Sequence, residues 1–220
     1  MGFTNDMSSV KTTYARLSSG HVTLSSKSEL PDYVSRTNKI GNQIWEKTYK
    51  TYTGKLVDVR TVDGDYGVYW VFEFDDNGET VIISSSYDNR YTRTLLNRLL
   101  NKAIDFSEPI TIAPYSFVPE GETYTLSGTN VIQFGKKINP RWDIKKELVQ
   151  PEEIIIKKVK TYNYEKQLQF FEEMVAKELK PRLEGSREVK PNIIPTDKDG
   201  FINIEDDIEE KEVNLYDGLE

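Results

Sequence analysis

The segment Tyr66-Gly-Val-Tyr-Trp-Val-Phe-Glu-Phe74 carries the alternation that decides the fold prediction. Every second position is large and apolar and the positions between them are mixed, which is typical of a strand with one face against a core. The apolar face comprises Tyr66, Val68, Trp70, Phe72 and Phe74. We therefore predict that Trp70 is a core residue and that Tyr69, on the opposite face, is accessible.

Two further strands are predicted beside this one. In residues 52–61 the side chains again alternate, with Val57 and Val59 on one face and Leu56 on the other. Downstream, Asp76-Asn77-Gly78 supplies the positive-φ residues of a tight hairpin turn, and residues 79–86 form the return strand. The three segments together predict an antiparallel meander.

A short cationic helix follows the meander. Its apolar positions recur at helical spacing, and Asp88 or Asn89 is the predicted N-cap. The strand pattern resumes at residues 109–114, and residues 122–126 and 130–134 are predicted as two more strands. Three strands, a helix and further strands follow the order of an OB-fold. The expected fold class is mainly β with helices: an OB-fold-like five-stranded barrel with a helix between strands 3 and 4, followed by a C-terminal helix and an acidic tail.

The middle of the chain resembles a bacteriophage single-stranded-DNA-binding protein over residues 36–137. The segments that carry the resemblance are Ser84-Ser-Ser-Tyr-Asp-Asn-Arg-Tyr-Thr-Arg-Thr-Leu-Leu-Asn-Arg-Leu99, Ile104-Asp-Phe106, Ile110-Thr-Ile-Ala-Pro-Tyr-Ser-Phe117, Arg36-Thr-Asn-Lys-Ile-Gly41, Trp45-Glu46 and Tyr49. The resemblance implies a DNA-binding OB-fold with an acidic partner-binding tail and no catalytic activity. A structural or adaptor protein of a virus particle, using the same barrel for protein contacts, is the alternative.

Basic and aromatic residues are interleaved in Gly135-Lys-Lys-Ile-Asn-Pro-Arg-Trp-Asp-Ile-Lys-Lys146. Bases stack on aromatic faces while neighbouring cations contact phosphates, so this pattern suits a single strand. A charged loop with one anchoring tryptophan explains it equally well. The candidate nucleic-acid-binding residues along the chain are Lys50, Arg60, Tyr69, Tyr87, Arg90, Arg93, Lys136, Lys137, Arg141 and Trp142.

Charge is distributed unevenly along the chain. The net charge is −7, and residues 201–220 contain one basic and eight acidic residues, so the rest of the chain is balanced. Acidic blocks are usually solvated, but the apolar residues Leu215, Tyr216 and Leu219 make a recognition peptide for replication or recombination proteins a competing interpretation. The predicted organisation is an N-terminal arm or one or two peripheral strands in residues 1–40, a binding domain in residues 41–180, a linker in residues 181–200 and the tail.

The binding domain is predicted to end in an amphipathic helix that terminates at Lys180-Pro181. Its wide apolar stripe packs against the barrel or forms a partner surface. The sequence favours packing.

Catalytic and metal-binding interpretations have little support in the sequence. Gly54-Lys55 lacks the upstream glycine of a phosphate loop, no Gly-x-Ser-x-Gly elbow is present, and the chain has no cysteine. Residues 197–202 resemble part of a calcium loop but lack its first and twelfth ligands. No run of 18 apolar residues and no secretory signal occur. We expect a cytoplasmic, non-enzymatic binder of single-stranded DNA, without a metal, cofactor or membrane partner.

Overall fold

The computed structural model describes residues 12–37, 41–64, 66–156 and 159–186. The acidic tail with Leu215, Tyr216 and Leu219, and residues 187–200 of the predicted linker, lie outside the described residues. The strands are β1 Thr12–Ser18, β2 His21–Ser26, β3 Val34–Thr37, β4 Gln43–Tyr49, β5 Tyr52–Gly64, β6 Gly67–Asp76, β7 Glu79–Ser86, β8 Ile110–Phe117, β9 Leu126–Gln133, β10 Lys136–Lys137, β11 Glu152–Ile156 and β12 Val159–Asn163. The α-helices are α1 Arg90–Leu99, α2 Glu165–Met174 and α3 Lys180–Ser186.

The described strands form one ten-stranded mixed sheet and a separate hairpin of β11 and β12. The order in the large sheet is β10-β9-β8-β5-β6-β7-β1-β2-β4-β3, with β10 and β3 as its edges. The predicted five-stranded OB barrel is therefore wrong, because the sheet is open and has twice as many strands. The meander and the helix after it are present. However, the strand that pairs with β7 on the side away from β6 is not one of the predicted barrel strands. Instead β1 pairs with β7 in parallel.

Residues 12–37 differ from the predicted N-terminal arm because they supply three strands of the large sheet. β1 lies between β7 and β2, and Ala15, Leu17 and Val22 are buried in the core. The turn between β1 and β2 also touches β8, since a Cβ built on Gly20 would lie 2.8 Å from the Ser116 nitrogen. Glycine is required there by both this close approach and its positive φ.

The meander follows the predicted pattern except at one bulge. β5, β6 and β7 pair antiparallel, and the turn at Asn77 and Gly78 has positive φ at both residues. The register between β5 and β6 shifts between Leu56 and Asp58. Because a bulge adds one residue to one strand, Leu56 and Val59 both become fully buried, and the predicted placement of Leu56 opposite Val59 is wrong.

Strand β9 runs continuously from Leu126 to Gln133, whereas the sequence predicted two separate strands, at residues 122–126 and 130–134. Its register with β8 runs without interruption from Leu126 to Ile132. The predicted strand at residues 122–126 forms only at its last residue, and Phe134 lies in the turn after β9 rather than in a strand.

The helices cover the core. Asn89 caps α1 as predicted, accepting a 2.8 Å hydrogen bond from the Tyr91 backbone N–H. The C-terminal helix packs on the core, as the sequence favoured, through Phe171, Val175, Leu179 and Leu183. Its predicted end at Lys180-Pro181 is wrong: a π-helical turn at Val175–Leu179 leads into α3, and Pro181 falls in the first turn of α3, where a missing N–H is tolerated.

Candidate nucleic-acid interface

The structure brings together the two cationic segments that the sequence predicted to contact phosphates. Asn97 of α1 joins them: its side-chain amide donates to the Trp142 carbonyl at 3.0 Å and its side-chain oxygen accepts from the Trp142 N–H at 3.0 Å. Just beyond the end of α1, Asn101 donates to the Asn139 carbonyl at 3.0 Å. Residues 139–142 therefore run antiparallel to the end of α1, fixed there by side-chain amides.

Five exposed cations line this pair of segments, and we call them the cationic ridge. They are Arg90, Lys136, Lys137, Lys145 and Lys146. Within the described part of the chain, none of the five forms an ion pair with a carboxylate. The adjacent Asp143 instead accepts from the Lys145 backbone N–H at 2.8 Å, and Glu147 accepts from the Asp143 N–H at 2.9 Å. A ten-residue helix is about 15 Å long, so the ridge spans several phosphates.

A cleft of about 280 Å³ opens at the Arg90 end of the ridge. It lies between the first turns of α1, the loop at residues 144–151 and the start of α2. Its lining residues are Arg90, Arg93, Thr94, Asn97, Ile144, Lys145, Leu148, Gln150, Pro151, Tyr164 and Gln167. Cations therefore sit at the rim of a partly apolar cleft whose volume is just below the lower limit of about 300 Å³ for small-ligand pockets. Such a cleft suits a single unpaired base and is too small for a duplex.

Arg93 lies in this cleft but is already engaged. It forms an ion pair with Asp88, and its guanidinium carbon lies 3.5 Å from the centre of the Tyr164 ring. Burial lowers the pKa of Arg93, and the charge of Asp88 opposes that shift. The predicted phosphate ligand therefore forms part of the cleft wall, where it holds α1 against α2.

Arg141 and Trp142 are also occupied with structural contacts. Arg141 donates to both carboxylate oxygens of Glu178, one at 3.0 Å, and its guanidinium carbon lies 4.4 Å from the Trp142 ring centre. The Trp142 ring packs edge-on against Phe170 and Phe171, at 5.0 and 6.4 Å between ring centres. For Trp142, these contacts favour the anchoring interpretation over a free stacking platform.

The side chain of Tyr87, like those of Arg141 and Trp142, is engaged in contacts within the protein. Its ring is parallel to that of Trp70, with 6.2 Å between ring centres. Burial raises the pKa of Tyr87 to about 12, with additional contributions from the charge of Glu172 and a hydrogen bond to it. One face of the Tyr87 ring is therefore covered by the core.

The remaining candidates do not join the ridge in the contacts that the structure shows. Arg60 donates to Asp58 and Glu73, each at 2.7 Å, and Lys50 is exposed between β4 and β5. Trp70 is a core residue as predicted, but the predicted accessibility of Tyr69 is wrong, because only 4% of its surface is exposed. β6 is an inner strand covered on both faces, so consecutive residues from Tyr69 to Phe72 are all buried.

Two features of the interface were not predicted from the sequence. The cleft brings Tyr164 next to Ile144 and Lys145, which lie about twenty residues earlier in the chain. Phe134, which was assigned to a strand, is 72% exposed in the turn directly before Lys136 and Lys137. An apolar residue at the end of an alternating strand was the only sequence signal for Phe134, and it indicated burial.

Comparison of the chain with protein-family models, with curated proteins and with solved structures found no match. Among the described residues, no helix has the length and apolar character needed to cross a membrane. The same residues contain no group of three or more His, Asp or Glu side chains positioned to hold a metal ion. The functional proposal therefore rests on the residues of the chain itself.

Proposed function

We propose that this protein binds single-stranded DNA along the cationic ridge and coats single strands, without catalysis, during the replication or recombination of a bacteriophage. The observation that carries the proposal is the contrast in ion pairing. Arg60, Arg93 and Arg141 are satisfied by carboxylates, whereas Arg90, Lys136, Lys137, Lys145 and Lys146 are exposed and have no carboxylate partner in the described residues. Only cations of the second kind gain by releasing counterions from a nucleic acid backbone.

The preference for single strands follows from the cleft at the end of the ridge. A single strand presents unstacked bases beside its phosphates, and aromatic or apolar walls next to cations accommodate both. The cleft combines the ring of Tyr164 and the side chains of Ile144 and Leu148 with the cations Arg90 and Lys145. A base pair within a duplex has no free face to offer such walls.

The direct test is a titration of the full chain into fluorescently labelled oligo-dT, followed by anisotropy at several salt concentrations. We expect log Kobs to fall linearly with log[salt], with a slope of about −3.5 if all five ridge cations contact phosphates at about −0.7 each. Unlabelled single strands should compete far better than duplex of the same length.

A slope near zero, or equal competition by duplex, would contradict the proposal. The virus-particle alternative would then be preferred, because it requires no counterion release. Lys160 provides the matched control: it is an exposed lysine that forms an ion pair with Glu153 at 2.6 Å on the β11–β12 hairpin. Replacing it with glutamine should leave the salt slope unchanged.

A further inference from the structure

Three two-residue hairpin turns in the described chain share one backbone geometry. They are Ser19-Gly20, Asn77-Gly78 and Phe134-Gly135, and both turn residues have positive φ in each case. The flanking residues pair across each turn, as Ser18 with His21, Asp76 with Glu79, and Gln133 with Lys136. This is the type I′ geometry, which favours Asn, Asp or Gly at its first position.

Phe134 is the exception among the three. Its φ is +50°, a region that bulky side chains rarely adopt, while the equivalent positions hold the small polar residues Ser19 and Asn77. The Phe134 ring is also 72% exposed, and it makes no aromatic contact within the described residues. The residue therefore combines an unfavourable backbone φ with an aromatic side chain that is largely exposed to solvent.

The residues around Phe134 indicate the kind of ligand that suits its exposed ring. Lys136 and Lys137 follow after Gly135, are both exposed, and begin the cationic ridge. The neighbouring Gln133 fixes the turn, since its side-chain amide donates to the Asp105 carbonyl at 2.7 Å and its side-chain oxygen accepts from the Asp105 N–H at 3.0 Å. A rigid turn thus presents an aromatic ring next to two cations that can hold phosphates.

We propose that Phe134 is a base-stacking residue at the Lys136 end of the ridge, where its ring packs against an unpaired base of a bound single strand. This inference rests on the proposed function, because it requires a strand along the ridge. Strained backbone conformations cluster at functional sites, where the surrounding structure holds them in place. Here the strained turn directs an aromatic ring away from the sheet, in a position where an asparagine would form the turn more easily.

The test measures the melting temperature and the single-strand affinity of Phe134→Asn. If Phe134 had a purely structural role, both would rise or both would fall. Asparagine suits the turn, so the melting temperature should rise by about 2–4 °C. Loss of one stacked base should weaken binding to oligo-dT by about 5- to 100-fold. Phe134→Tyr keeps the ring and should retain the affinity of the parent chain, and Phe134→Leu keeps only the apolar character and should bind like Phe134→Asn.

A second measurement uses an oligo-dT of about 16 nucleotides that contains one 2-aminopurine. Stacking quenches 2-aminopurine fluorescence, so the parent chain should quench it more than Phe134→Asn does at saturation. If the parent chain binds the oligonucleotide and Phe134→Asn binds it equally well with equal quenching, the stacking role is wrong while the proposed function stands. If Phe134→Leu retains full affinity, the contact is apolar packing and the stacking role is again wrong. If the parent chain does not bind at all, the proposed function itself has failed.

Discussion

The cations of the ridge and the arginines on strands β3 and β5 of the large sheet are in opposite electrostatic situations. In the sheet, Arg36 donates to Glu46 at 2.7 and 3.0 Å, and Arg60 lies between Asp58 and Glu73. Along the ridge, the nearby carboxylates Asp143 and Glu147 accept hydrogen bonds from backbone N–H groups, and the lysines are left to solvent. The number of basic residues in a segment therefore says little about nucleic acid binding by itself. What matters more is whether the nearby carboxylates pair with those basic side chains or with backbone N–H groups.

The comparison also separates two energetic roles. Exposed or half-exposed ion pairs contribute about 0–1 kcal/mol each to stability. An unpaired surface cation contributes little to folding but can neutralise a phosphate. Substitutions in the two regions should therefore change different measured quantities, stability in one and the salt dependence of binding in the other.

The largest effect is expected from the triple variant Lys136→Gln, Lys137→Gln and Lys145→Gln. At about 0.1 M salt, each lost phosphate contact should weaken single-strand binding about fivefold, so the triple variant should bind about 100-fold more weakly. The slope of log Kobs against log[salt] should become less steep by about 2. Anisotropy titrations of both proteins at several salt concentrations measure both quantities.

Arg60→Gln is the contrasting variant from the sheet. It removes a cation that already has two carboxylate partners, so it should leave the salt slope unchanged and lower the free energy of unfolding by about 1 kcal/mol or less. If Arg60→Gln and the ridge variant flatten the slope equally, the division between the two regions does not hold.

The second prediction concerns the acidic tail, which lies outside the described residues. Deleting residues 201–220 changes the formal net charge from −7 to 0. A tethered polyanion competes with DNA at an effective concentration that can reach the millimolar range. We expect the truncated chain to bind single strands about tenfold more tightly at low salt, with the gain shrinking as the Debye length shortens.

Titrations of the truncated and full-length chains at two ionic strengths measure this gain. Equal affinities at low salt would mean that the tail does not reach the ridge. Its residues Leu215, Tyr216 and Leu219 would then remain as a predicted docking peptide for replication or recombination proteins, independent of DNA binding.

The smallest effect is expected from Glu178→Gln, which removes the carboxylate partner of Arg141. The variant releases Arg141, which lies between Lys137 and Lys145 in sequence and is fixed to α1 by a 2.9 Å hydrogen bond from its N–H to the Asn97 carbonyl. Single-strand binding should tighten by up to about fivefold, and stability should fall by about 1 kcal/mol or less.

The same pair predicts a pH dependence. Hydrogen bonding by Arg141 lowers the pKa of Glu178, so the pair stabilises the protein above the ordinary glutamate pKa, and this contribution is lost as the pH falls through the lowered value. Glu178→Gln should remove that part of the acid-induced loss of stability, as measured by chemical denaturation at several pH values. An unchanged acid profile would mean that the pair contributes nothing measurable.

Features set by neighbouring residues were predictable from the sequence. The Asn77-Gly78 turn, the strand at residues 79–86, the N-cap Asn89 and the core position of Trp70 all follow from spacing and turn chemistry. The sheet order was not predictable, because it depends on which distant strand pairs with β7. β1 is rich in serine and threonine, so its short alternation gave little signal.

In the interface, too, features set by neighbouring residues were predictable and features set by distant residues were not. The positions of the cations were visible in the sequence, and so was the proximity of aromatic residues to them. Their partners were not, because Arg141 pairs with a carboxylate 37 residues away and Trp142 packs against a helix beyond the β11–β12 hairpin. Tyr69 was misassigned for a related reason: alternation reveals two faces but cannot show that both are covered.

The parallel pairing of β1 with β7 has a consequence for the order of folding. Among the described residues, five backbone pairs, from Thr12 with Thr80 to Arg16 with Ser84, join the half of the sheet that contains β1 to β4 to the half that contains the meander, and the β1–β2 turn adds a contact with β8. Contacts between residues far apart in sequence form late, because closing the long loop between them costs entropy first. Because β1 precedes β7 in the chain, it cannot pair with β7 until β7 has been synthesised, whereas the meander can assemble from local contacts.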